Sequence, residues 1–241
     1  MESPLAQFKI EPLVNFQLAG YDVSFNNSAL FMVLAATVTT LLMVFSVRRN
    51  ALIPGRLQSV AEMMYSFVAD MVNDNAGHDG MRYFPFVFTL FSFVLLGNLL
   101  GMIPFGFTFT SHIIVTFALA SAIFIGVTIL GLFRHGLHFF SLFFPKGAPL
   151  LLAPLIIPIE LLSYLSRPVS LSIRLFANMM AGHTMLAVFS GFAVTLGIIG
   201  GLAPLALIVI LTGFELLVAA LQAYVFAVLT CIYLKDALDL H

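Results

Sequence analysis

A single arginine, Arg174, lies inside one of the least polar stretches of the sequence. A guanidinium stays protonated in any protein environment, and placing it at bilayer depth costs about 2.5–3.5 kcal/mol on insertion scales. A charge in such a position usually faces a polar cavity or a partner and serves a function. The alternative is an arginine that snorkels to the headgroups or pairs structurally with Glu160 or Glu215. The functional interpretation is favoured because further polar residues align with Arg174.

Two polar stripes lead up to Arg174. Glu160, Arg167 and Arg174 are spaced by seven residues, and positions seven apart on a helix differ by only about 20° around its axis. Ser163 and Ser170 form the second stripe, and Ser170 lies one turn before Arg174. The serines could equally be residues that help helices pack. Buried Glu, His and Arg side chains together are harder to explain by packing alone.

More polar groups follow Arg174. Asn178 lies one turn after it, and His183 lies nine residues after it, which is about 180° round the helix and ~13 Å further along. The last apolar stretch carries three polar residues on one face, namely Glu215, Gln222 and Tyr233. An imidazole titrates near neutral pH and a carboxylate can exchange protons with it. These residue types therefore indicate proton transfer.

The composition is that of an all-α integral membrane protein. The chain has 241 residues, of which 61% are hydrophobic and 9% charged, whereas a soluble domain carries about 25% charge. The formal net charge of −1 gives no basic footprint for nucleic acid. The single cysteine, Cys231, excludes an internal disulfide and a CxxC motif. We expect no cofactor and no metal site.

The apolar pattern predicts a single membrane domain with about five membrane-embedded helices and one amphipathic helix at the interface. Each predicted span contains a continuous apolar run long enough to cross a bilayer. The predicted interfacial helix instead has apolar residues on one face and polar residues on the other, at helical spacing. The predicted parts are an N-terminal segment outside (1–27), a first span (28–47), the interfacial helix (56–75), a helical hairpin (84–133) and a long tilted helical hairpin (150–235) that carries the proton path.

Charge asymmetry predicts the orientation. With five spans and the N-terminus outside, one side of the membrane holds only Lys9, and the other holds the seven cations Arg48, Arg49, Arg56, Arg82, Arg134, Lys146 and Lys235. This satisfies the positive-inside rule, so the C-terminus is expected inside. Splitting residues 150–196 into two spans would move Lys235 outside. One long bent or tilted helix is therefore favoured, and the prolines of this segment allow its bends.

The helix directions then order the polar groups by depth. His183 and Glu215 share the outer half, Arg174 and Gln222 share the midplane, and Glu160 marks the inner half. The pattern predicts two polar half-paths, one from each face, that meet at a fixed positive charge. A continuous proton wire would dissipate a gradient, and an arginine that neither binds nor releases protons can interrupt it.

Several motifs carry a family resemblance. The chain contains PIELLS from Pro158 to Ser163, SRPVSLSIRLFAN from Ser166 to Asn178, AGH ending at His183, EX6QAYVF beginning at Glu215, and LTXXY ending at Tyr233. Together they resemble the a subunit of F-type ATP synthase, the stator half of a proton-driven motor. The resemblance is specific over residues 158–235, weaker over 85–135, and only general in the N-terminal third.

The resemblance implies roles for these positions. Arg174 would be the essential stator arginine, facing a ring of proteolipid subunits that each carry a membrane carboxylate. The outer half-channel and midplane would be lined by Asn178, His183, Glu215 and Gln222, and the inner half-channel by Glu160, Ser163, Ser170 and Tyr233. Many bacterial members of the family carry Glu at the position of His183 and His at that of Glu215. The exchanged order here resembles the mitochondrial form.

The resemblance also implies that the chain is a non-catalytic subunit of its complex, and it implies partners and a location. The partners would be the proteolipid ring, the peripheral-stalk subunits, the soluble catalytic head indirectly, protons and the lipid bilayer. A bacterial inner membrane is expected, with the mitochondrial inner membrane as the alternative.

Two rival functions remain open from the sequence. A secondary transporter with a midplane anion site at Arg174 predicts an inverted repeat, and residues 1–130 contain no counterpart of 158–235. A haem-binding redox subunit usually needs His pairs on facing helices. His112, His135 and His138 fall at span ends or in loops, and His183 stands alone in the apolar stretches.

Overall fold

The computed structural model describes residues 8–15, 17–18, 21–22, 24–47, 55–103, 106–136, 138–139 and 153–238. Within them the chain is almost entirely helical. The helices are α1 (Asn27–Val47), α2 (Arg56–Gly80), α3 (Phe84–Gly101), α4 (Ile113–His135), α5 (Ala153–Thr195), α6 (Gly197–Gly200) and α7 (Leu202–Leu238). Short 3-10 turns at Met81–Tyr83 and Phe109–Ser111 precede α3 and α4. Most of the segment 136–149, between the two predicted hairpins, lies outside the described residues.

Five helical segments are long and apolar enough to cross a membrane: Asn27–Ser46, Arg56–Gly101, Ile113–His135, Ala153–Thr195 and Leu202–Leu238. The second of these joins α2 to α3 through the 3-10 turn. The predicted all-α membrane fold with about five such helices is therefore confirmed.

The segment that the charge count favoured as one helix is one helix. α5 runs unbroken for 43 residues with Pro158 and Pro168 inside it, and α7 runs for 37 residues. At 1.5 Å per residue, α5 is ~65 Å long, about twice the ~30 Å hydrocarbon thickness of a bilayer. It must therefore tilt, bend or extend beyond the hydrocarbon. The short helix α6 follows α5, and its first residue, Gly197, has a φ of 70°.

α2 has the amphipathic pattern that the sequence predicts. Val68 and Val72 are fully buried in the main core, while Glu62 and Asp70 are exposed. The helix extends to Gly80 rather than ending at 75, and it is interrupted at Gly77, whose φ of 70° favours glycine. Its position at the membrane interface stays a prediction.

The core is centred on a stripe of small residues along α7. Ala219, Ala223, Ala227 and Cys231 recur every fourth residue, and each is fully buried. Small side chains at this spacing let neighbouring helices approach closely, and α2, α3, α4 and α5 all pack on α7. α5 contributes its own stripe at the same spacing, formed by the buried residues Leu171, Leu175 and Met179.

Short strands precede α1, and these strands were not predicted from the sequence. β1 (Pro12–Val14) pairs antiparallel with β4 (Phe25–Asn26), and β2 (Gln17–Leu18) pairs with β3 (Tyr21–Asp22). The side chain of Asn27 ties this segment to the helix, since its amide donates to the Lys9 carbonyl at 3.0 Å and its Oδ1 accepts from the Glu11 N–H at 3.3 Å. The Asn26 side chain caps α1 by accepting from the Ala29 N–H at 2.8 Å.

Candidate functional site

His183 and Glu215 extend the two buried stripes by one step. His183 follows Met179 by four residues on α5, and Glu215 precedes Ala219 by four on α7. Because the stripes face each other, the two polar side chains meet. Nε2 of His183 lies 3.6 Å from Oε1 of Glu215, with side chains only 12% and 4% exposed. The structure thus brings together the acid and the imidazole that the sequence assigned to one route.

The carboxylate of Glu215 is enclosed by protein, since its side chain is only 4% exposed. Neither of its carboxylate oxygens has a hydrogen-bond partner among the described residues. Burying an ionised carboxylate in this way is costly, and the neighbouring imidazole is a group with which it can share a proton. The arrangement suits proton exchange better than a structural ion pair, which would satisfy its remaining lone pairs.

Gly182 makes the close approach of the two helices possible. A Cβ at this position would lie 2.7 Å from Oε1 of Glu215, closer than real Cβ atoms come. The glycine before His183 therefore has a steric reason. The glycine is visible in the sequence motif AGH, but only the contact with Glu215 shows that a larger residue would not fit there.

Thr108 is a third member of the site that sequence analysis missed. Its Oγ1 lies 2.8 Å from Nε2 of His183, and the residue is 5% exposed. Which of the two atoms donates depends on the imidazole tautomer. No pattern in the amino acids around Thr108 predicts that this residue, which lies between α3 and α4, contacts α5.

A second polar link lies beside the first. Asn98 on α3 is fully buried. Its Oδ1 accepts a 2.8 Å hydrogen bond from Oγ1 of Thr110, and its Nδ2 donates to the Ala219 carbonyl at 3.3 Å. The link joins α3 and the Phe109–Ser111 turn to α7, one helical turn from Glu215. It holds the elements that surround the His183–Glu215 pair.

Arg174 lies on a different side of α5. Arg174, Asn178, Ser163 and Ser170 are all exposed on the chain, and they fall within about 80° around the helix axis. Among the described residues, the arginine makes no ion pair and no side-chain hydrogen bond. Pairing with Glu160 or Glu215, the structural alternative for this arginine, is therefore not what the described chain shows.

Gln222 is buried at about the level of Arg174. The contact between His183 and Glu215 fixes the alignment of the antiparallel helices. From it, Arg174 lies nine residues back along α5 and Gln222 lies seven residues along α7, which gives ~13.5 and ~10.5 Å of rise. Gln222 is 8% exposed. The two share a level, but no direct hydrogen bond joins them in the described structure.

At the other end of the α5–α7 pair, Arg167 lies in a cluster with Asp236 and the rings of Tyr164 and Tyr233. Nη1 of Arg167 donates to Oδ2 of Asp236 at 2.8 Å. Its guanidinium lies 5.3 Å from the Tyr164 ring centre and 5.1 Å from that of Tyr233, within cation–π range. The Tyr164 hydroxyl in turn lies 2.7 Å from Oγ1 of Thr128. Glu160 is half-buried about two turns before this cluster.

The histidines do not gather into a metal centre within the described residues. No group of three or more His, Cys, Asp or Glu side chains lies together there. The His112 ring stacks on Phe107 at 5.3 Å, and burial lowers the pKa of His112. Nε2 of His135 contacts the Leu238 carbonyl at 3.1 Å.

Comparison with known proteins places this arrangement in a family. The family model described as ATP synthase A chain matches residues 29–235. The chain is 60% identical to ATP synthase subunit a of Rhodospirillum rubrum, over all of both chains. It is 53% identical to the subunit a of Paramagnetospirillum magneticum, again over all of both. Its identity to that of Pelagibacter ubique is 55%, over 99% of this chain and 98% of the relative.

The fold and the site define an all-α integral membrane protein whose polar residues gather on two long antiparallel helices. The match covers most of the chain, and the three relatives align over 98–100% of their lengths. The chain belongs to the ATP synthase A chain family, whose work is proton transport in ATP synthesis.

Proposed function

We propose that this chain is the stator subunit of a rotary proton motor, with two offset half-channels separated by Arg174. The observation that carries the proposal is that one helix places a permanently charged residue and a titratable residue on different sides. α5 exposes the fixed charge of Arg174 on one side, and it buries the titratable His183 against Glu215 on another. A residue that exchanges protons and one that cannot are thus ~13 Å apart along the same helix.

Arg174 acts on a carboxylate of a neighbouring subunit. Its exposed position leaves the guanidinium available to a partner, and Asn178 stands beside it one turn along. An opposite charge favours the ionised form of a carboxylate, so a ring carboxylate that comes near Arg174 gives up its proton. Because the arginine stays charged throughout, protons cannot pass it directly from one half-channel to the other.

The outer half-channel delivers protons through His183 and Glu215. The 3.6 Å separation of Nε2 and Oε1 is just beyond hydrogen-bonding distance, so a small approach of the two groups or one bridging water allows exchange. Gln222, buried seven residues beyond Glu215, carries the route towards the level of Arg174 and Asn178. Protons arriving there neutralise the next ring carboxylate.

The inner half-channel releases protons on the other side. Ser163 and Ser170 line the exposed side of α5 towards the inner end, and Glu160 lies half-buried beyond them. Tyr233 stands at the same end of α7 and is held against Arg167. Each proton that crosses supplies about 2.3 kcal/mol per 100 mV, which the ring collects as rotation.

The proposal includes the partners and the orientation. The ring of proteolipid subunits covers the Arg174 side of α5, and peripheral-stalk subunits hold the chain against it while the soluble catalytic head is driven indirectly. The N-terminus is outside and the C-terminus inside a bacterial inner membrane. A secondary transporter with an anion site at Arg174 is not favoured, because the polar residues converge on one antiparallel helix pair.

Cysteine cross-linking tests the proposed ring face. Ser170 and Val169 are adjacent, exposed residues of α5 that point about 100° apart. In a background with Cys231→Ser, Ser170→Cys should form a disulfide with a cysteine placed one turn from the ring carboxylate, and Val169→Cys should not. Cross-linking by Val169→Cys alone would put the ring on the wrong side and refute the proposal.

A further inference from the structure

We infer that Thr108 is a positioning residue of the outer proton route, one that keeps a hydrogen-bond partner at Nε2 of His183 in both of its protonation states. The inference rests on the proposed function of His183 and Glu215. It assigns a task to the connection between α3 and α4, which lies outside the two long helices that carry the other proposed route residues.

The Thr108 hydroxyl and the Glu215 carboxylate face the same nitrogen. Oγ1 of Thr108 lies 2.8 Å from Nε2 of His183, whereas Oε1 of Glu215 lies 3.6 Å from it. The hydroxyl is thus at hydrogen-bonding distance and the carboxylate is just beyond it. Proton transfer between His183 and Glu215 therefore takes place at an atom that Thr108 already contacts.

A hydroxyl suits this position because it can reverse its role. It accepts when Nε2 carries a proton and donates when Nε2 is bare. A carboxylate in its ionised form can only accept, and an amide would have to turn over. Thr108 therefore lets the imidazole gain and lose a proton without a change of ring orientation.

The backbone fixes the hydroxyl in place. The Thr108 carbonyl accepts a 2.6 Å hydrogen bond from Oγ of Ser111 and a 3.1 Å bond from the Ser111 N–H. Thr110, two residues on, is tied to Asn98 at 2.8 Å. All three residues of this segment are at least 95% buried, so the hydroxyl is presented by a rigid turn rather than by a mobile loop.

Two glycines of α3 make room for that turn. Gly97 and Gly101 are one helical turn apart, and a Cβ on either would collide with the turn. At Gly101 the collision is with the Thr108 side chain, and at Gly97 it is with the Phe109 ring. Replacing Gly101 by alanine therefore displaces Thr108 without altering its hydroxyl. Replacing Gly97 by alanine disturbs the neighbouring Phe109 ring instead and serves as the control.

The test is the pH dependence of ATP-driven proton pumping in membrane vesicles that contain the assembled complex. Thr108→Val should slow pumping about three- to tenfold, the factor expected for one hydrogen bond, and it should also move the pH of half-maximal rate. Thr108→Ser retains the hydroxyl and should restore both. Lost packing alone would lower the rate equally at every pH.

The glycine variants make the test independent of the threonine. Gly101→Ala should reproduce the altered pH profile, because it pushes the hydroxyl away from His183. Gly97→Ala should leave the profile unchanged even if the rate falls. The amount of chain in the membrane and the ATPase activity of the complex are measured for every variant, and Thr108→Ala replaces the valine variant if that one does not assemble.

The results separate this inference from the proposed function. The role of Thr108 would be overturned if the pH profile were unchanged in Thr108→Val (or its alanine replacement) and in Gly101→Ala. The route would stay intact if the profile were nevertheless altered in His183 and Glu215 variants. Unaltered pumping in the His183 and Glu215 variants would overturn the route itself. Failure of Thr108→Ser to restore the profile would show that the methyl group, not the hydroxyl, matters.

Discussion

Nε2 of His183 lies 3.6 Å from Oε1 of Glu215, at the point where the buried stripes of α5 and α7 end in polar residues. The contact joins residues 32 positions apart in the sequence, and it sets the alignment of the long antiparallel helices. It also gives the proposed outer route a geometry in which an acid and an imidazole can be tested as one unit.

Exchanging the pair should preserve more function than breaking it. His183→Glu with Glu215→His keeps one acid and one imidazole in contact, whereas each single change leaves two like groups. We expect the double variant to pump protons faster than the product of the two single losses predicts. A double-mutant cycle on pumping rate measures this coupling. Additive losses would mean that the two residues act independently despite their contact.

Gly182→Ala should impair proton entry by displacing Glu215. The added Cβ would lie 2.7 Å from Oε1, so the carboxylate or the helix must move, and overpacking of this kind typically costs about 1–3 kcal/mol. We expect pumping to fall about as far as it does in Glu215→Gln. The matched control is Gly191→Ala on the same helix, where a Cβ meets nothing within 4 Å. Equal effects of the two alanines would contradict the steric explanation.

Arg174→Ala should abolish ATP-driven proton pumping while the chain still inserts and assembles. In the proposed mechanism, the variant removes the fixed charge that favours ionisation of a ring carboxylate. Arg174→Lys should substitute poorly, because a buried ammonium can lose its proton. Acidification of inverted vesicles reports the rate, and wild-type pumping by the alanine variant would refute the stator role.

The topology can be read by labelling single cysteines from each side of the membrane. After Cys231→Ser, cysteines in residues 1–27, the 104–112 connection and the 197–204 turn should be labelled from outside. Cysteines in residues 48–83 and after Leu238 should be labelled from inside, as the charge count predicts. External labelling of the C-terminus would require an even number of spans.

The Arg167 side chain should contribute measurably to the stability of the complex. Its 2.8 Å contact with Asp236 is partly exposed, with side chains 22% and 35% accessible, so the ion pair alone is worth little. The two tyrosine rings at 5.3 and 5.1 Å add a cation–π contribution of about 0.5–2 kcal/mol. We expect Arg167→Gln to lower the denaturation midpoint of the complex, and Arg167→Lys to lower it less. A stability equal to wild type in Arg167→Gln would show that the cluster contributes nothing.

The long helices and their polar residues were predictable because apolar periodicity is a local signal. The spacing of Arg174, His183, Glu215 and Gln222 places each on its helix face, and antiparallel packing then sets their relative depth. The same reasoning could not find Thr108 or the partners of Asn98. Their contacts depend on how residues 106–112 fold back over α3. Two glycines of α3 permit that fold, and no periodic pattern in the sequence predicts it.

Other features depended on contacts between distant residues. Spacing placed Tyr233 on the polar face of its helix, and the resemblance implied its inner role. Only the tertiary structure shows that Arg167, itself paired with Asp236, lies over the Tyr233 ring. The extension of α2 beyond 75 passes through Gly77, a residue that normally suggests a helix end. The short strands before α1 contain too few residues for alternation to be recognised.

The exposure of Arg174 has a consequence for the life of the chain before it is assembled. An unaccompanied copy would present a guanidinium to acyl chains, at a cost of about 2.5–3.5 kcal/mol, and a partner carboxylate would relieve that cost. The charge that we propose as the barrier to a proton short-circuit would therefore also distinguish an orphan subunit from an assembled one. Surplus copies would be less stably inserted and more readily extracted and degraded, so the amount of this chain in the membrane would follow the supply of its partner.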